Sequence, residues 1–454
     1  MTVIDIGTET FTENNDWTNL QDMLSKHLKK PGKYIFFNNY TTKLSVPVIY
    51  KPKKEKALLI TKTTHFCLLF SPQKVPLLAI EVYTYCTFYK DRVERLVYVS
   101  KADTTGLQKL GEVNVGQFIV EYMKWVCQIP VETLISNLKF KNDNSNQPKL
   151  IENLTKDKIF LSETHYALYR LEKIASGEVN VQMNKSSNTI PYLEYLELLG
   201  IDRINLKTEN VKTKLVLFTR SEGQYLFPES IKNKGKHILD GRELLKWWLK
   251  NVDKITKNWS QCNRFLNILN SEEREIIRYF PSSEWKVGSV YDDPLLTSSA
   301  SPAIYQIPLL PDDPKGRFLE HLIVEGRVKK VKCKQYWQEL AIRQEFSFGA
   351  IVGLIGVSGI VNEFQSKNLQ STYLKPKIMK HVTELITSKD YFDKSDWSSL
   401  YDELSNIKDM KHFDIIGSWE GKNVGTKRTL DETDTKPVII NTLMCVKSRK
   451  KSKQ

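Results

Sequence analysis

The sequence predicts an α/β protein with a single large domain, in which helices flank a central mixed β-sheet. Strand-like and helix-like segments alternate along the chain, which favours one mixed sheet over two independent domains. Of the 454 residues, 41% are hydrophobic and 26% are charged, so the chain can bury a large core. We expect this domain to span residues 1–437 and to be followed by a last strand and a basic tail in residues 438–454.

Apolar runs rich in β-branched and aromatic residues predict the strands of the sheet. The first two are expected at residues 65–71 and 75–89, joined by a hairpin turn at Pro72, Gln73 and Lys74. The remaining strands are expected at residues 96–100, 214–219, 285–290, 303–309 and 438–446.

Helices are indicated by apolar residues at helical spacing and by capping signals. Asp240 and Glu243 form a capping box, which predicts a helix that carries Trp247 and Trp248. Other helices are expected at residues 115–127, 163–174, 191–199, 259–269, 272–280, 318–325 and 335–346. The polar residues 140–158 predict a long surface loop, and residues 367–454 are expected to be less regular.

Several enzyme classes are excluded by motifs that the sequence lacks. No two glycines are separated by a single residue, which excludes the G-x-G-x-x-G dinucleotide fingerprint and the glycine pair of the commonest acetyltransferase superfamily. The sequence has no G-K-[ST], no H-E-x-x-H and no G-x-S-x-G elbow, so P-loop, zincin and hydrolase chemistry lack support. The seven histidines are dispersed, and we expect no metal site.

The charge balance indicates acidic partners. The net charge of +14 suits a nucleic acid, an anionic cofactor or an acidic protein, and composition does not choose among them. The scattered cysteines include no C-x-x-C pair, which is typical of reduced thiols in an intracellular protein. The acidic N-terminus is unlike a signal peptide, and the longest apolar run, residues 348–361, is too short to span a bilayer. We therefore expect a soluble cytoplasmic or nuclear protein.

The first candidate site lies in residues 215–248, a strand–loop–helix unit. Its loop carries four basic or titratable side chains just before the capped helix: Lys232, Lys234, Lys236 and His237. A helix N-terminus beside such charges could bind phosphate; the alternative is a solvated basic loop. Aromatic residues also concentrate here, namely Phe218, Tyr225, Phe227, Trp247 and Trp248. Most are expected in the core, and one of the two tryptophans can face a cavity because neighbours on a helix point about 100° apart.

The second candidate site is the proline-stiffened segment 307–318, which contains Asp312, Asp313 and Lys315. Removing the proton of an ordinary lysine at neutral pH costs about 4.6 kcal/mol, and a fixed carboxylate can offset that cost by accepting the proton. The alternative is an acidic first turn of the helix that follows. Asp103, at the end of a strand, is a third candidate carboxylate, although acids at strand ends are often only turn residues.

With these segments the chain resembles the fungal histone acetyltransferases known as the regulator of Ty transposition family. The resemblance covers nearly the whole length and is carried by several separate motifs in the same order. They are RLVYVSKADT at 95–104, LFTR…QYLFP at 217–228, KHIL-D-G-REL-LKWW at 236–248, PLLPDDPKGRF at 308–318, W-QEL-x-x-RQEF at 337–346 and INTL…KSRKK at 440–451. One departure is Tyr98, where phenylalanine is expected.

The resemblance implies a fold like that of the CBP-type coactivator acetyltransferases, with a tunnel for acetyl-CoA as co-substrate. It implies that Asp313 is the proton-transferring acid and that Lys315 is self-acetylated. Catalytic roles are also expected for Asp312, Asp103, Trp248 and Tyr225. Cofactor contacts are expected from Ala102, Asp103, Thr104, Phe218, Arg220, Glu222, Lys236, His237, Ile238, Leu239, Trp247 and Arg317, where Arg220, Lys236 and Arg317 supply charge for phosphates or for site architecture.

The resemblance further implies direct transfer of acetyl, in a ternary complex, to lysines of newly synthesised histone H3. Such enzymes act in the nucleus, in replication-coupled chromatin assembly and the DNA damage response, with acidic histone chaperones of the NAP-like and anti-silencing-function types delivering H3 with H4. No cysteine lies in the matched motifs, which disfavours an acetyl-cysteine intermediate. The competing interpretation is a non-enzymatic chromatin or nucleic-acid adaptor that uses basic clusters such as 51–56 and 329–334.

Overall fold

Ten of the twelve strands of the described chain form one mixed sheet. The structure is a computed structural model, and it describes residues 19–45, 48–49, 59–89, 92–109, 111–141, 189–191, 211–291, 302–311, 313–343, 351–364 and 369–420. The strands are β1 (Lys33–Leu44), β2 (Leu59–Phe70), β3 (Pro76–Phe88), β4 (Val93–Thr104), β5 (Lys139–Lys141), β6 (Thr189–Pro191), β7 (Val211–Thr219), β8 (Ser260–Ile268), β9 (Trp285–Val287), β10 (Gly353–Val361), β11 (Thr372–Tyr373) and β12 (Phe413–Ile416).

The sheet has the order β11-β1-β2-β3-β4-β7-β10-β8-β9, and β12 also pairs with β1. β1–β4 form an antiparallel meander, whereas β4 and β7 are parallel. β5 and β6 pair with each other in a separate two-stranded sheet. The predicted central mixed sheet is confirmed, and so is the hairpin turn after β2, where the backbone N–H of Ser71 donates to the Val75 carbonyl over 2.8 Å.

The described helices lie on both faces of this sheet. They are α1 (Leu20–Ser25), α2 (Val115–Gln128), α3 (Val131–Ile135), α4 (Gly241–Ile255), α5 (Glu273–Ile277), α6 (Pro314–Val324), α7 (Cys333–Ile342), α8 (Pro376–Thr387), α9 (Lys394–Trp397) and α10 (Leu400–Ser405). α2 and α4 pack on one face. On the other face, α8 and α10 cover the β1–β3 end, and α6 packs with α7 near β7. None of the described helices is long and apolar enough to cross a membrane.

Two predicted elements are wrong. The segment 259–269 is the strand β8 rather than a helix, and its buried residues alternate from Arg264 to Ile268 because the segment is held between β10 and β9. The segment 303–309 is not a strand, since it begins with the short 3-10 helix Ala303–Tyr305. Pro308 has no N–H to donate to a strand ladder, and the N–H of Leu309 is used on the Val48 carbonyl over 2.7 Å.

Other differences concern strands that the sequence patterns did not reveal. The glycine-containing run at 348–361 holds β10, which pairs with both β7 and β8 in the middle of the sheet. Gly356 lies there because an added Cβ would come within 2.5 Å of the Val290 side chain. β1 was also not predicted, and the segment after residue 367 contains α8–α10 rather than irregular chain.

Some predictions lie outside the described residues. They are the helix at 163–174, the helix at 191–199 beyond Pro191, the loop at 140–158 beyond residue 141, and the strand and basic tail at 438–454. The described residues all belong to one compact unit that ends at Glu420.

A buried ion pair connects β4 to the helical layer. Arg95 is fully buried, and its guanidinium donates to the Glu363 carboxylate and to the Cys127 carbonyl at the end of α2. Glu363 also accepts from the N–H of Val131 over 3.1 Å, at the start of α3. The pair therefore fixes α2 and α3 against the sheet.

We predict that Arg95→Met lowers the free energy of unfolding by about 3–5 kcal/mol, because it leaves the Glu363 carboxylate buried without its cation. Urea denaturation measures the change. Arg92→Met is the control, since the half-exposed Arg92–Glu94 pair is worth at most about 1 kcal/mol. Equal losses of unfolding free energy in the two variants would show that the buried Arg95–Glu363 pair contributes no more to stability than the half-exposed pair.

Candidate active site

Asp103 connects the end of β4 to the loop that follows β7. Its Oδ2 accepts hydrogen bonds from the backbone N–H groups of Tyr225 (2.7 Å), Leu226 (2.9 Å) and Phe227 (3.3 Å). Its Oδ1 accepts from the Lys236 ammonium over 2.8 Å. The side chains of this ion pair are each only 5% exposed. A carboxylate with this many donors holds a loop in place, so the structure favours an architectural role for Asp103.

The loop at residues 220–239 is fixed at further points. Lys236 also donates to the Ser230 hydroxyl over 2.7 Å, so its charge is directed inward. Gly106 has φ +73°, and a Cβ at this position would come within 2.5 Å of the Lys236 backbone nitrogen. The Ser221 hydroxyl donates to the Leu239 carbonyl. Loop and strand end are thus packed backbone against backbone.

The outer surface of the 220–239 loop carries the accessible groups. His237 and Ile238 are exposed, and Leu239 is half-buried. Arg220 and Glu222 form an ion pair of 2.8 Å at the surface. The Tyr225 hydroxyl donates to the Arg220 carbonyl. The pKa of Tyr225 is raised above its usual range, mainly by partial burial and to a smaller extent by the negative charge of Glu222.

The first turn of α4 is closed by its own cap. The Asp240 carboxylate accepts from the N–H groups of Arg242 (2.7 Å) and Glu243 (2.8 Å), and Glu243 accepts from the Asp240 N–H over 3.2 Å. The predicted capping box is confirmed. These amides are therefore not open to a phosphate, and phosphate binding here would depend on side chains such as the exposed Lys234 and His237.

The two tryptophans of α4 differ in burial. Trp248 is 7% exposed and packs in the core cluster with Leu217 and Leu249. Trp247 is half-buried, lies at 4.9 Å from Trp248 in an edge-to-face contact, and covers Gly116 of α2.

The second candidate segment contains a buried acid–amine pair. Asp313 is the N-cap of α6 and accepts from the Lys315 N–H over 3.1 Å. The Lys315 ammonium contacts the other carboxylate oxygen of Asp313. The two side chains are 0% and 5% exposed. Burial lowers the pKa of Lys315 to about 7, so its amine is partly neutral at physiological pH even beside a carboxylate. Arg317 is exposed, and Asp312 lies outside the described residues.

A small cavity adjoins Lys315. It is about 20 Å³ in volume, which is room for one ordered water. Its wall includes Tyr98, Val216, Tyr291, Leu310, Trp337 and Gly356. Tyr291 and Trp337 were not selected as site residues, and neither was Tyr336, whose hydroxyl donates to the Lys315 carbonyl over 2.5 Å. Of these three residues, only Trp337 lies in one of the sequence motifs that carry the family resemblance.

The helix α4 and the second candidate segment flank the same strands from opposite faces. Leu215 and Leu217 of β7 lie in the core cluster with Trp248, whereas Val216 lies with Tyr98 and Leu310, because successive side chains of a strand alternate between faces. Phe218 packs with α6 and α7. The Asp313–Lys315 pair therefore adjoins β7 on the face opposite Trp248.

The described residues include no group of His, Cys, Asp and Glu that could hold a metal ion.

Comparisons with known proteins agree with this architecture. The model of the histone acetyltransferase KAT11-type domain matches residues 20–408. The chain is 31% identical over 398 residues to histone acetyltransferase RTT109 of Candida albicans, covering 86% of this chain and all of the relative. It is also 31% identical over 163 residues to histone acetyltransferase rtt109 of Schizosaccharomyces pombe, a match covering 32% of this chain and 40% of the relative. The crystal structure of Rtt109 from Aspergillus fumigatus superposes with a TM-score of 0.60 at 18% identity, covering 88% of this chain and 99% of the other.

We predict that Asp103→Asn weakens the attachment of the 220–239 loop. Removing one partner of a buried ion pair costs about 3–5 kcal/mol. The amides of Tyr225, Leu226 and Phe227 should then exchange with deuterium faster, as mass spectrometry can measure. Glu222→Gln, which removes a surface charge from the same loop, should leave their exchange nearly unchanged. Unaltered protection in Asp103→Asn would contradict the architectural role.

Proposed function

The chain belongs to the family of KAT11-type histone acetyltransferases, and from this premise we propose that it transfers acetyl from acetyl-CoA to lysines of newly synthesised histone H3. This enzymatic activity is preferred over a non-enzymatic adaptor because the family match covers residues 20–408. The observation that carries the proposal is the buried Asp313–Lys315 pair beside β7, since acetyl transfer to an amine requires a fixed proton acceptor.

In this proposal Asp313 accepts the proton of the attacking histone amine. The N-cap position holds its carboxylate rigidly, because the cap bond to the Lys315 N–H fixes the side chain. The amine must be neutral to attack the thioester, and a carboxylate within the protein can act as the base that accepts its proton. Asp312 and Tyr225 are proposed to assist Asp313 in the same reaction.

Acetyl-CoA is proposed to bind along the ends of β4 and β7 and the surface of the 220–239 loop. Ala102, Asp103 and Thr104 lie at the end of β4, and Phe218 lies near the end of β7. The half-buried Trp247 and the exposed Ile238 offer apolar surface, and His237 with Arg317 offers charge for phosphates. The acetyl thioester supplies the group that is transferred.

Direct transfer within a ternary complex is supported by the state of the cysteines. Thiolates are the nucleophilic form of cysteine, and burial raises the pKa of Cys86 to about 11 and of Cys127 to about 12. Burial also raises the pKa of Cys67 and Cys262. These four thiols are therefore poor candidates for carrying an acetyl intermediate.

We also propose that acidic histone chaperones, of the NAP-like and anti-silencing-function types, deliver H3 with H4 to this enzyme in the nucleus. The turn between α6 and α7 and the first turn of α7 support this, because Lys329, Lys330, Lys332 and Lys334 are all exposed there. No ion pair within the described chain engages these four lysines. Such a surface repels a basic histone tail and attracts an acidic carrier. Roles in replication-coupled chromatin assembly and the DNA damage response are part of this proposal.

We predict that Asp313→Asn lowers kcat/KM for histone acetylation by about 10²–10⁴-fold, the usual contribution of a general base. Asparagine keeps the helix cap, but it leaves the buried Lys315 amine without its anion, which can cost up to about 3–5 kcal/mol. The rate is therefore measured well below the melting temperature of the variant. Transfer of labelled acetyl to histone H3 measures the rate.

The matched control is Asp393→Asn, the same change at the N-cap of the exposed helix α9. It should leave transfer unchanged. An Asp313→Asn enzyme that is folded and fully active would remove Asp313 from the proposed mechanism.

We propose that Lys315 is acetylated by the enzyme itself, and we predict that the rate depends on pH. Its pKa is lowered to about 7, so the reactive neutral amine increases as the pH rises through about 7 and is nearly complete one to two units above. Mass spectrometry after incubation with acetyl-CoA measures the modified fraction at each pH. Lys315→Arg should show no acetylation at this position. An acetylation rate that continues to rise tenfold per pH unit up to about pH 10 would indicate a lysine with an ordinary pKa.

A further inference from the structure

Tyr291 lines the cavity that Lys315 also lines, and its hydroxyl is unpaired among the described residues. The residue is 9% exposed, and its hydroxyl oxygen is buried without a hydrogen-bond partner in the structure. A buried hydroxyl is normally satisfied, because leaving it unpaired in an apolar setting costs free energy. The Tyr291 hydroxyl therefore needs a partner, which can be an ordered water, a ligand or a modified side chain.

Several residues of the cavity wall have no side-chain group that could form a hydrogen bond with a bound polar atom. Val216, Leu310 and Leu354 are apolar, and Gly356 has no side chain. The nearby Tyr336 hydroxyl is already used on the Lys315 backbone carbonyl. Ser289 accepts from the Tyr291 N–H over 3.2 Å. Tyr98 and Trp337 also line the wall, but the hydroxyl that is buried without a hydrogen-bond partner among the described residues is that of Tyr291.

Acetylation would change what the Lys315 side chain needs. The unmodified ammonium is satisfied by the Asp313 carboxylate. When the neutral amine attacks the thioester of acetyl-CoA, a C–N bond forms, the C–S bond breaks, and the amine proton passes through Asp313 to the departing thiolate. The resulting amide keeps one N–H, which can still donate to Asp313, and gains a carbonyl oxygen that requires a donor of its own.

We propose that the Tyr291 hydroxyl donates a hydrogen bond to the acetyl carbonyl of acetylated Lys315 and so holds the modified side chain in this cavity. The carbonyl oxygen would occupy the space of about one water that the cavity provides. Both polar ends of the acetamide are then paired, at Asp313 and at Tyr291. Tyr291 is in this sense a positioning residue, and the proposal rests on the proposed modification of Lys315.

The test uses the full chain with acetyl-lysine, labelled with ¹³C at the carbonyl, installed at position 315 by codon suppression. Installing the group separates this question from self-acetylation, which is measured independently on the unlabelled enzyme with acetyl-CoA. A hydrogen-bonded carbonyl resonates downfield of a free one. We expect a downfield carbonyl signal that moves upfield in Tyr291→Phe.

Tyr34→Phe is the matched control, because Tyr34 is a buried tyrosine of β1 whose hydroxyl bonds to the Glu112 carbonyl at 3.2 Å. The signal of the labelled acetyl carbonyl in Tyr34→Phe should equal that of the parent protein. The same signal in Tyr291→Phe and in the parent would overturn the proposal. Should Tyr291→Phe fail to fold, the parent protein decides the question: contact between the acetyl methyl and the Tyr291 ring in NOE spectra supports it, and absence of that contact overturns it.

Discussion

The carboxylate of Asp103 makes the interactions on which the candidate site depends, because it joins the central sheet to the loop that carries half of the predicted cofactor residues. A loop of this length would otherwise present its backbone amides to solvent in many conformations. By accepting from three successive amides and from Lys236, Asp103 selects one conformation. The buried charge is tolerated because each of its oxygens has donors.

A second buried pair, Asp313 and Lys315, combines two opposing effects. Burial alone disfavours the charged amine, while the neighbouring carboxylate favours it. Burial is the larger effect here, and the pKa of Lys315 falls to about 7. The amine therefore changes protonation state under physiological conditions. A lysine held in this way can act as a nucleophile, whereas a surface lysine is almost entirely protonated.

The relation between the two halves of the site follows from the period of a strand. β7 and β10 contribute alternate residues to the layer that contains Trp248 and to the layer that contains the cavity of Lys315. Both layers therefore pack on the same two strands. Trp248 and Asp313, for both of which a catalytic role is expected from the family resemblance, adjoin opposite faces of these strands.

The sequence by itself determined the class of fold and the capped helix α4, and it pointed to the two candidate segments, because capping residues, apolar periodicity and rare motifs act over short distances. It also pointed to Asp313 and Lys315. It failed where pairing between distant segments overrides local pattern: β8 resembles a helix until it is placed between β10 and β9, and the glycines of β10 conceal a central strand. Only the tertiary structure decided that Asp103 and Lys236 neutralise each other, that Lys315 is buried, and that Tyr291 shares its cavity. Burial and partnership of charges depend on residues far apart in the chain, and no local pattern records them.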